Sequence, residues 1–198
     1  MLSYNESLGI LKETKALLEG HFILSSGLHS RQYIQCAKLL SYPRKAEAIC
    51  ASLCEKIKKK INKIDIILSP AIGGIVIGYE IGRLLETKTI FAERVNNKFE
   101  LRRGFEIAKN ANVLIVEDVI TTGKSALECF DLVKTSNAKL IGFACIIDRS
   151  DDKIQIKQNI ISQVKFKIDT YTKDNLPEDL KNITPHKPGS REITKWKK

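Results

Sequence analysis

Apolar positions along the chain switch repeatedly between a helical and a strand period, and the switches predict a succession of short elements. Ser3 to Leu18 reads as a helix, with Leu8, Leu11 and Ala16 among its apolar positions. His21 to Lys38 is less regular, and its Ser25-Ser26-Gly27 predicts short strands and turns. Pro43 opens a second helix whose buried stripe is Ala46, Ile49, Leu53 and Ile57. A buried strand follows at Ile64 to Leu68, then a helix at Ile75 to Leu85, a strand at Thr89 to Ala92 and a loop from Glu93 to Phe105. The strand Val113 to Val116 leads to a helix from Lys124 to about Thr135, on which Leu127, Phe130 and Val133 share a buried face. Lys139 to Ile147 and Val164 to Ile168 are two more strands. This β-α alternation favours an α/β fold, with a mainly parallel sheet and helices on both faces.

Composition adds bounds to that picture. At 198 residues and 43% hydrophobic, the chain is long enough to bury one core, so a single domain with an appendage is expected. Its longest uncharged stretch, Ile66 to Tyr79, holds Ser69, Pro70 and three glycines and is too short to cross a bilayer. No signal peptide is apparent, and five cysteines (Cys36, Cys50, Cys54, Cys129, Cys145) without paired CxxC spacing suit a reducing cytoplasm. Cys50 and Cys54 read as buried small hydrophobes rather than metal ligands. The net charge of +10 collects in two places. Glu55 to Lys63 has five lysines against one glutamate, and Lys181 to Lys198 has six basic residues against one glutamate. Neither interleaves aromatics with bases, so both read as solvated faces, and neither nucleic acid nor membrane is an expected partner.

The chemistry concentrates in Glu117, Asp118, Val119, Ile120, Thr121, Thr122, Gly123, Lys124 and Ser125, which join the strand at Val113 to the following helix. Ligands of open α/β sheets collect beyond the carboxyl ends of the strands, where a helix amino end offers unpaired N–H groups. Thr121, Thr122 and Ser125 add hydroxyl donors, and Gly123 lets the backbone approach an anion. Gly123-Lys124-Ser125 resembles a nucleotide P-loop, but Asp118 stands where that motif requires its first glycine. Beside a ribose, Glu117 and Asp118 can accept hydrogen bonds from sugar hydroxyls, directly or through a metal ion, while the turn holds the 5-phosphate. The competing reading makes them acids that cap the next helix.

Val113 to Ser125 resembles the phosphoribosyl-diphosphate motif of the type I phosphoribosyltransferases. Glu19 to Ser30, Arg102-Arg103-Gly104-Phe105, Asp148-Arg149 and Lys187-Pro188-Gly189-Ser190-Arg191 resemble the orotate phosphoribosyltransferases. The likeness implies a central twisted sheet flanked by helices (about 43–170), with a small hood from about 1–42 and part of the carboxyl-terminal segment. It implies transfer of ribose 5-phosphate from phosphoribosyl diphosphate to orotate, with magnesium carried mainly by the substrate. A purine phosphoribosyltransferase and a ligand-sensing regulator of the same fold are the alternatives.

The resemblance also implies residue roles. Ala71, Ile72 and Gly73 fall in the turn that holds pyrophosphate, where many relatives have lysine at the Gly73 position. Arg94 to Arg103, with its Asn96-Asn97 turn signal, corresponds to a mobile basic lid that closes over the diphosphate, often of a neighbouring subunit, which implies a homodimer. Arg94 and Lys98 best match its basic positions, while Val95 and Glu100 depart from it. Arg149 matches the arginine that binds the orotate carboxylate, with Thr121 also touching the base; the alternative for Arg149 is pairing with Asp148, Asp151 or Asp152. Ser25, Ser26 and Tyr33 are candidates to cover the base, although many relatives have lysine at the Ser25 position. His21, His29 and His186 lie outside the motif, and no strong base is required because the attacking nitrogen of orotate is readily available as an anion.

Overall fold

The computed structural model describes residues 1–24, 26–150 and 154–188. Ser25, Asp151, Asp152 and Gly189-Ser190-Arg191, together with the last part of the basic tail, lie outside the described residues.

Helix α1 (Tyr4–Glu13) starts at a capping box, in which the Ser3 hydroxyl accepts from the Glu6 N–H and the Glu6 carboxylate accepts from the Ser3 N–H. It is shorter than expected. Lys15 takes a φ of 55°, which ends the helical path, and Leu17 and Leu18 pair with Ile34 and Tyr33 instead of extending the helix. Strands β1 (Leu17–Ile23) and β2 (His29–Ile34) form an antiparallel pair, joined later by β9 (Thr170–Tyr171) in a three-stranded sheet. Short helix α2 (Cys36–Leu40) leads to α3 (Pro43–Lys58), where proline occupies the first turn and Ala46, Ile49, Leu53 and Ile57 are all buried as expected.

The second sheet has the order β5-β4-β3-β6-β7-β8, parallel except for the β4–β5 pair. Its strands are β3 (Ile66–Pro70), β4 (Lys88–Val95), β5 (Lys98–Leu101), β6 (Asn112–Ile120), β7 (Lys139–Asp148) and β8 (Ile160–Lys165). Helices α4 (Gly73–Leu85) and α5 (Lys124–Thr135) connect them, and α6 (Glu178–Lys181) follows the sheet. Side chains of β6 alternate between two cores. Leu114 and Val116 join Ile49, Leu53, Ile77 and Ile81 on one face, whereas Val113 and Ile115 join Cys129, Val133, Phe99 and Phe143 on the other. Such burial on both sides is what a central parallel strand requires.

Several boundaries correct the expectations. β3 begins two residues late and takes in Ser69 and Pro70, and α4 already includes Gly73 and Gly74, so the turn expected to hold pyrophosphate is shorter than the gap between the expected strand and helix. β4 runs on to Val95, past the expected end at Ala92. β6 continues past Val116 through both carboxylates to Ile120, because β7 keeps pairing with it up to Ile120 opposite Asp148. The last core strand lies at Ile160–Lys165 rather than Val164 to Ile168, since Phe143 and Ala144 draw Ile160 and Ile161 into register.

The expected loop from Glu93 to Phe105 is largely a β-hairpin. Arg94 pairs with Phe99 and Val95 with Lys98, across a two-residue turn in which Asn96 and Asn97 have φ of 47° and 64°. Asparagine tolerates that left-handed conformation, and two such residues in succession match the strand twist of a tight hairpin.

Candidate functional site

The carboxyl ends of β3, β4, β6 and β7 emerge on one edge of the sheet, and the turns that follow them meet there. Two helix amino ends face this edge. Among the described residues neither N-cap residue, Ile72 of α4 or Gly123 of α5, makes a side-chain cap; the Lys124 N–H donates to the Thr122 hydroxyl at 3.4 Å, and other N–H groups of the first turns remain available. Gly123 supports the α5 end in two ways. Its φ of 73° favours glycine, and a Cβ there would lie 2.7 Å from the Ile156 side chain, which folds over the turn with Ile154. Thr121, Thr122 and Lys124 are exposed, and Ser125 is half-buried.

Asp118 does not cap α5; its Oδ1 accepts from the Val119 N–H at 2.9 Å. It sits against the turn between β3 and α4, where a Cβ on Gly73 would lie 3.0 Å from Oδ1 and 3.1 Å from Oδ2. Glycine at this position therefore lets the turn and the carboxylate approach each other. In that turn Ala71 N–H donates to the Ala92 carbonyl at 2.8 Å, the Ala71–Ile72 peptide is cis, and Ile72 is 85% exposed.

Glu117 points to the other face, as strand alternation requires. It is 8% exposed, and burial, with the Asp118 charge adding to it, pushes its carboxyl up to about 8. Burial also raises Asp118, although the Val119 N–H opposes that. On the same face burial, and then the Glu117 charge, push the Cys129 thiol up. All five cysteines are free and buried, in agreement with a role as small hydrophobes. Among the described residues no group of three or more His, Cys, Asp or Glu side chains could hold a metal ion. An ion at this edge would draw most of its ligands from substrate and water, with Asp118 the carboxylate that faces it from the chain.

Arg149 follows β7 directly, and its N–H donates to the Ile120 carbonyl at 2.8 Å, which fixes it beside Thr121. It does not pair with Asp148, whose carboxylate accepts from the Ser150 N–H at 2.8 Å and meets Lys165 at 3.3 Å. The Arg149 Nε is buried without a hydrogen-bond partner among the described residues, and burial pulls the guanidinium below its usual range. The Tyr33 phenol stands close enough to Arg149 to feel its charge, packs on Phe22 at 5.8 Å and donates to Gln35 Oε1 at 3.1 Å.

The hairpin β4–β5 overhangs the same edge. Arg94 reaches Glu128 of α5 at 2.7 Å, while Arg103 and Arg102 reach Glu93 at 2.6 and 3.6 Å. Lys98 is exposed and makes no ion pair among the described residues. Sequence reasoning missed Glu128, whose only trace is its position one helical turn after Lys124. It also missed Ile156, which carries no local signal. Away from the edge, His21 and His29 form a buried contact of 2.6 Å beneath the three-stranded sheet, and His21 Nδ1 lies 2.8 Å from the Ile183 carbonyl.

A family model described as phosphoribosyl transferase domain matches residues 40–174. The chain is 44% identical to the orotate phosphoribosyltransferase of Bartonella henselae over 193 residues, 97% of this chain and 100% of that protein. It is 45% identical to the orotate phosphoribosyltransferase of Caldanaerobacter subterraneus over 186 residues, 94% of this chain and 97% of that protein. Among solved structures, the orotate phosphoribosyltransferase of Aeropyrum pernix matches with a TM-score of 0.70 at 19% identity, covering 80% of this chain and 92% of that one. The adenine phosphoribosyltransferase of Thermoanaerobacter pseudethanolicus matches with a TM-score of 0.59 at 16% identity, covering 68% and 88%. These two likenesses show a shared fold, which is the type I phosphoribosyltransferase fold. The family match spans more than half of the chain and the two bacterial relatives nearly all of it, so the chain belongs to the orotate phosphoribosyltransferases.

Proposed function

We propose that this protein transfers ribose 5-phosphate from phosphoribosyl diphosphate to orotate, giving orotidine 5-phosphate and pyrophosphate in pyrimidine synthesis. A ring nitrogen of orotate forms the new bond to the anomeric carbon while the bond from that carbon to pyrophosphate breaks. The observation that carries the choice of base is Arg149: a half-buried guanidinium beside Thr121, whose buried Nε has no hydrogen-bond partner among the described residues, suits a planar carboxylate, which orotate has and purine bases lack. Arg149→Ala is expected to raise the KM for orotate at least about tenfold while changing the KM for phosphoribosyl diphosphate less than about twofold. Equal effects on both constants would remove the assignment.

In this reading Thr121 to Ser125 hold the 5-phosphate with first-turn N–H groups and hydroxyls, and the backbone N–H groups of Ile72 and Gly73 receive the pyrophosphate, with Ala71 tied to the Ala92 carbonyl behind them. Asp118, raised by burial yet bound to the Val119 N–H, accepts from a ribose hydroxyl. Catalysis rests on stabilising positive charge on the sugar ring and negative charge on the departing group, with Lys98 an exposed cation next to the hairpin turn. Magnesium, carried mainly by the diphosphate, would add charge neutralisation, with Asp118 the carboxylate on that side of β6. The three-stranded sheet is read as the hood over the base, with Tyr33 on its inner side.

A second copy of the chain is the proposed partner. Ile72, Val76 and Tyr79 are 85%, 50% and 66% exposed along one side of α4, starting in the pyrophosphate turn itself, and a homodimer would cover them. A cytoplasmic location fits the reduced cysteines, and among the described residues no helix is long and apolar enough to cross a membrane.

A further inference from the structure

We infer that Glu128 is a positioning residue for the reaction, acting through Arg94 to hold the hairpin β4–β5 against the helix that receives the 5-phosphate. The inference rests on the proposed reading of the site. The Arg94 guanidinium makes three contacts at once. Its Nη2 lies 2.7 Å from Glu128 Oε2, its Nη1 donates to the Asn97 carbonyl at 2.8 Å, and its plane covers the Phe99 ring at 4.1 Å. One side chain thus joins α5, the hairpin turn and the second hairpin strand.

Glu128 is suited to this by where it stands. It follows Lys124 by one helical turn, with its other oxygen 4.0 Å from the Lys124 ammonium, so the amino end of α5 and the hairpin share a single carboxylate. Its Oε2 is buried and makes no well-aligned hydrogen bond among the described residues, which leaves the Arg94 charge as its compensation. Phe99 is buried among Ala126 and Cys129 of α5, and its neighbour Lys98 points the opposite way, as strand alternation dictates. Fixing Phe99 and Asn97 therefore fixes the direction of Lys98. Arg94 spends its charge on Glu128, so both residues act by placing Lys98 rather than by touching the diphosphate.

The test uses the full chain with orotate, phosphoribosyl diphosphate and magnesium, and compares Glu128→Gln, Arg94→Gln and the double variant. Each single variant should lower kcat about tenfold with the KM for phosphoribosyl diphosphate within about twofold. The double variant should be no slower than either single one, because all three lose the same contact. Amide hydrogen exchange across residues 96–101 should accelerate in all three without any substrate present. Wild-type kcat and wild-type exchange in Glu128→Gln would overturn the inference. So would a much larger defect in Arg94→Gln accompanied by a raised KM for phosphoribosyl diphosphate, which would mean direct contact between Arg94 and the substrate. A wild-type enzyme that turns over no orotate would count against the proposed function, while the exchange data would still decide the role of Glu128.

Discussion

Asp118 and Glu117 adjoin in sequence but occupy different surroundings, and the difference comes from the two-residue period of a strand. Asp118 faces Gly73 and the open edge; Glu117 turns into the core beside Cys129. The pair is read as a sugar site because it precedes the turn proposed to hold the 5-phosphate. Their separation was not legible in the sequence, because it depends on β6 remaining paired to β7 through Ile120. The Glu117 environment has a consequence for stability. The unfolded chain ionises this group near 4.5, whereas the folded chain holds its proton to about 8. Between those values the folded state binds more protons than the unfolded state, so the contribution of Glu117 to stability falls as pH rises. Glu117→Gln, which cannot titrate, should therefore melt at nearly the wild-type temperature below pH 4.5 and on the order of 5 °C higher above pH 8. An equal offset at both pH values would show that the buried carboxyl is not held neutral.

Among the elements, the strongly periodic ones were read well, and α5 ends where its apolar spacing predicts. The misread boundaries share a cause. Leu17 and Leu18 extend the apolar pattern of α1, but a positive φ at Lys15 and pairing with β2 decide their state. Arg94 to Arg103 is rich in charge and reads as loop, yet Asn96-Asn97 and the burial of Phe99 close it into a hairpin. In both cases partners distant in sequence override the local signal. A hairpin held by α5 makes a more rigid support for Lys98 than a free loop. Lys98→Ala should accordingly lower kcat by about tenfold or more while leaving the KM for phosphoribosyl diphosphate within about threefold. Steady-state rates with unchanged kcat would reduce Lys98 to a surface charge.

For the whole molecule, the doubly wound topology explains why residues between 71 and 149 converge: parallel strands deliver their following turns to one edge. That much follows from the alternation of strands and helices in the sequence. The covering of Gly123 by Ile156 and the anchoring of Arg94 by Glu128 depend on how separate segments pack, and no periodicity announces them. The exposed stripe of Ile72, Val76 and Tyr79 belongs to this scale as well, since apolar residues on α4 suggest an interface only once no described residue is seen to cover them. Under the proposed homodimer, Tyr79→Arg should shift the protein from dimer to monomer in sedimentation velocity at micromolar concentration. A dimer unaffected by that substitution would place the interface elsewhere.

The choice of base is the claim on which the rest depends, and an absorbance assay addresses it directly. The purified chain, supplied with phosphoribosyl diphosphate and magnesium, should consume orotate and release pyrophosphate in equal amounts, with uracil, hypoxanthine and xanthine turned over at least about a hundredfold more slowly. Turnover of hypoxanthine or xanthine at a rate matching or exceeding that of orotate would contradict the account.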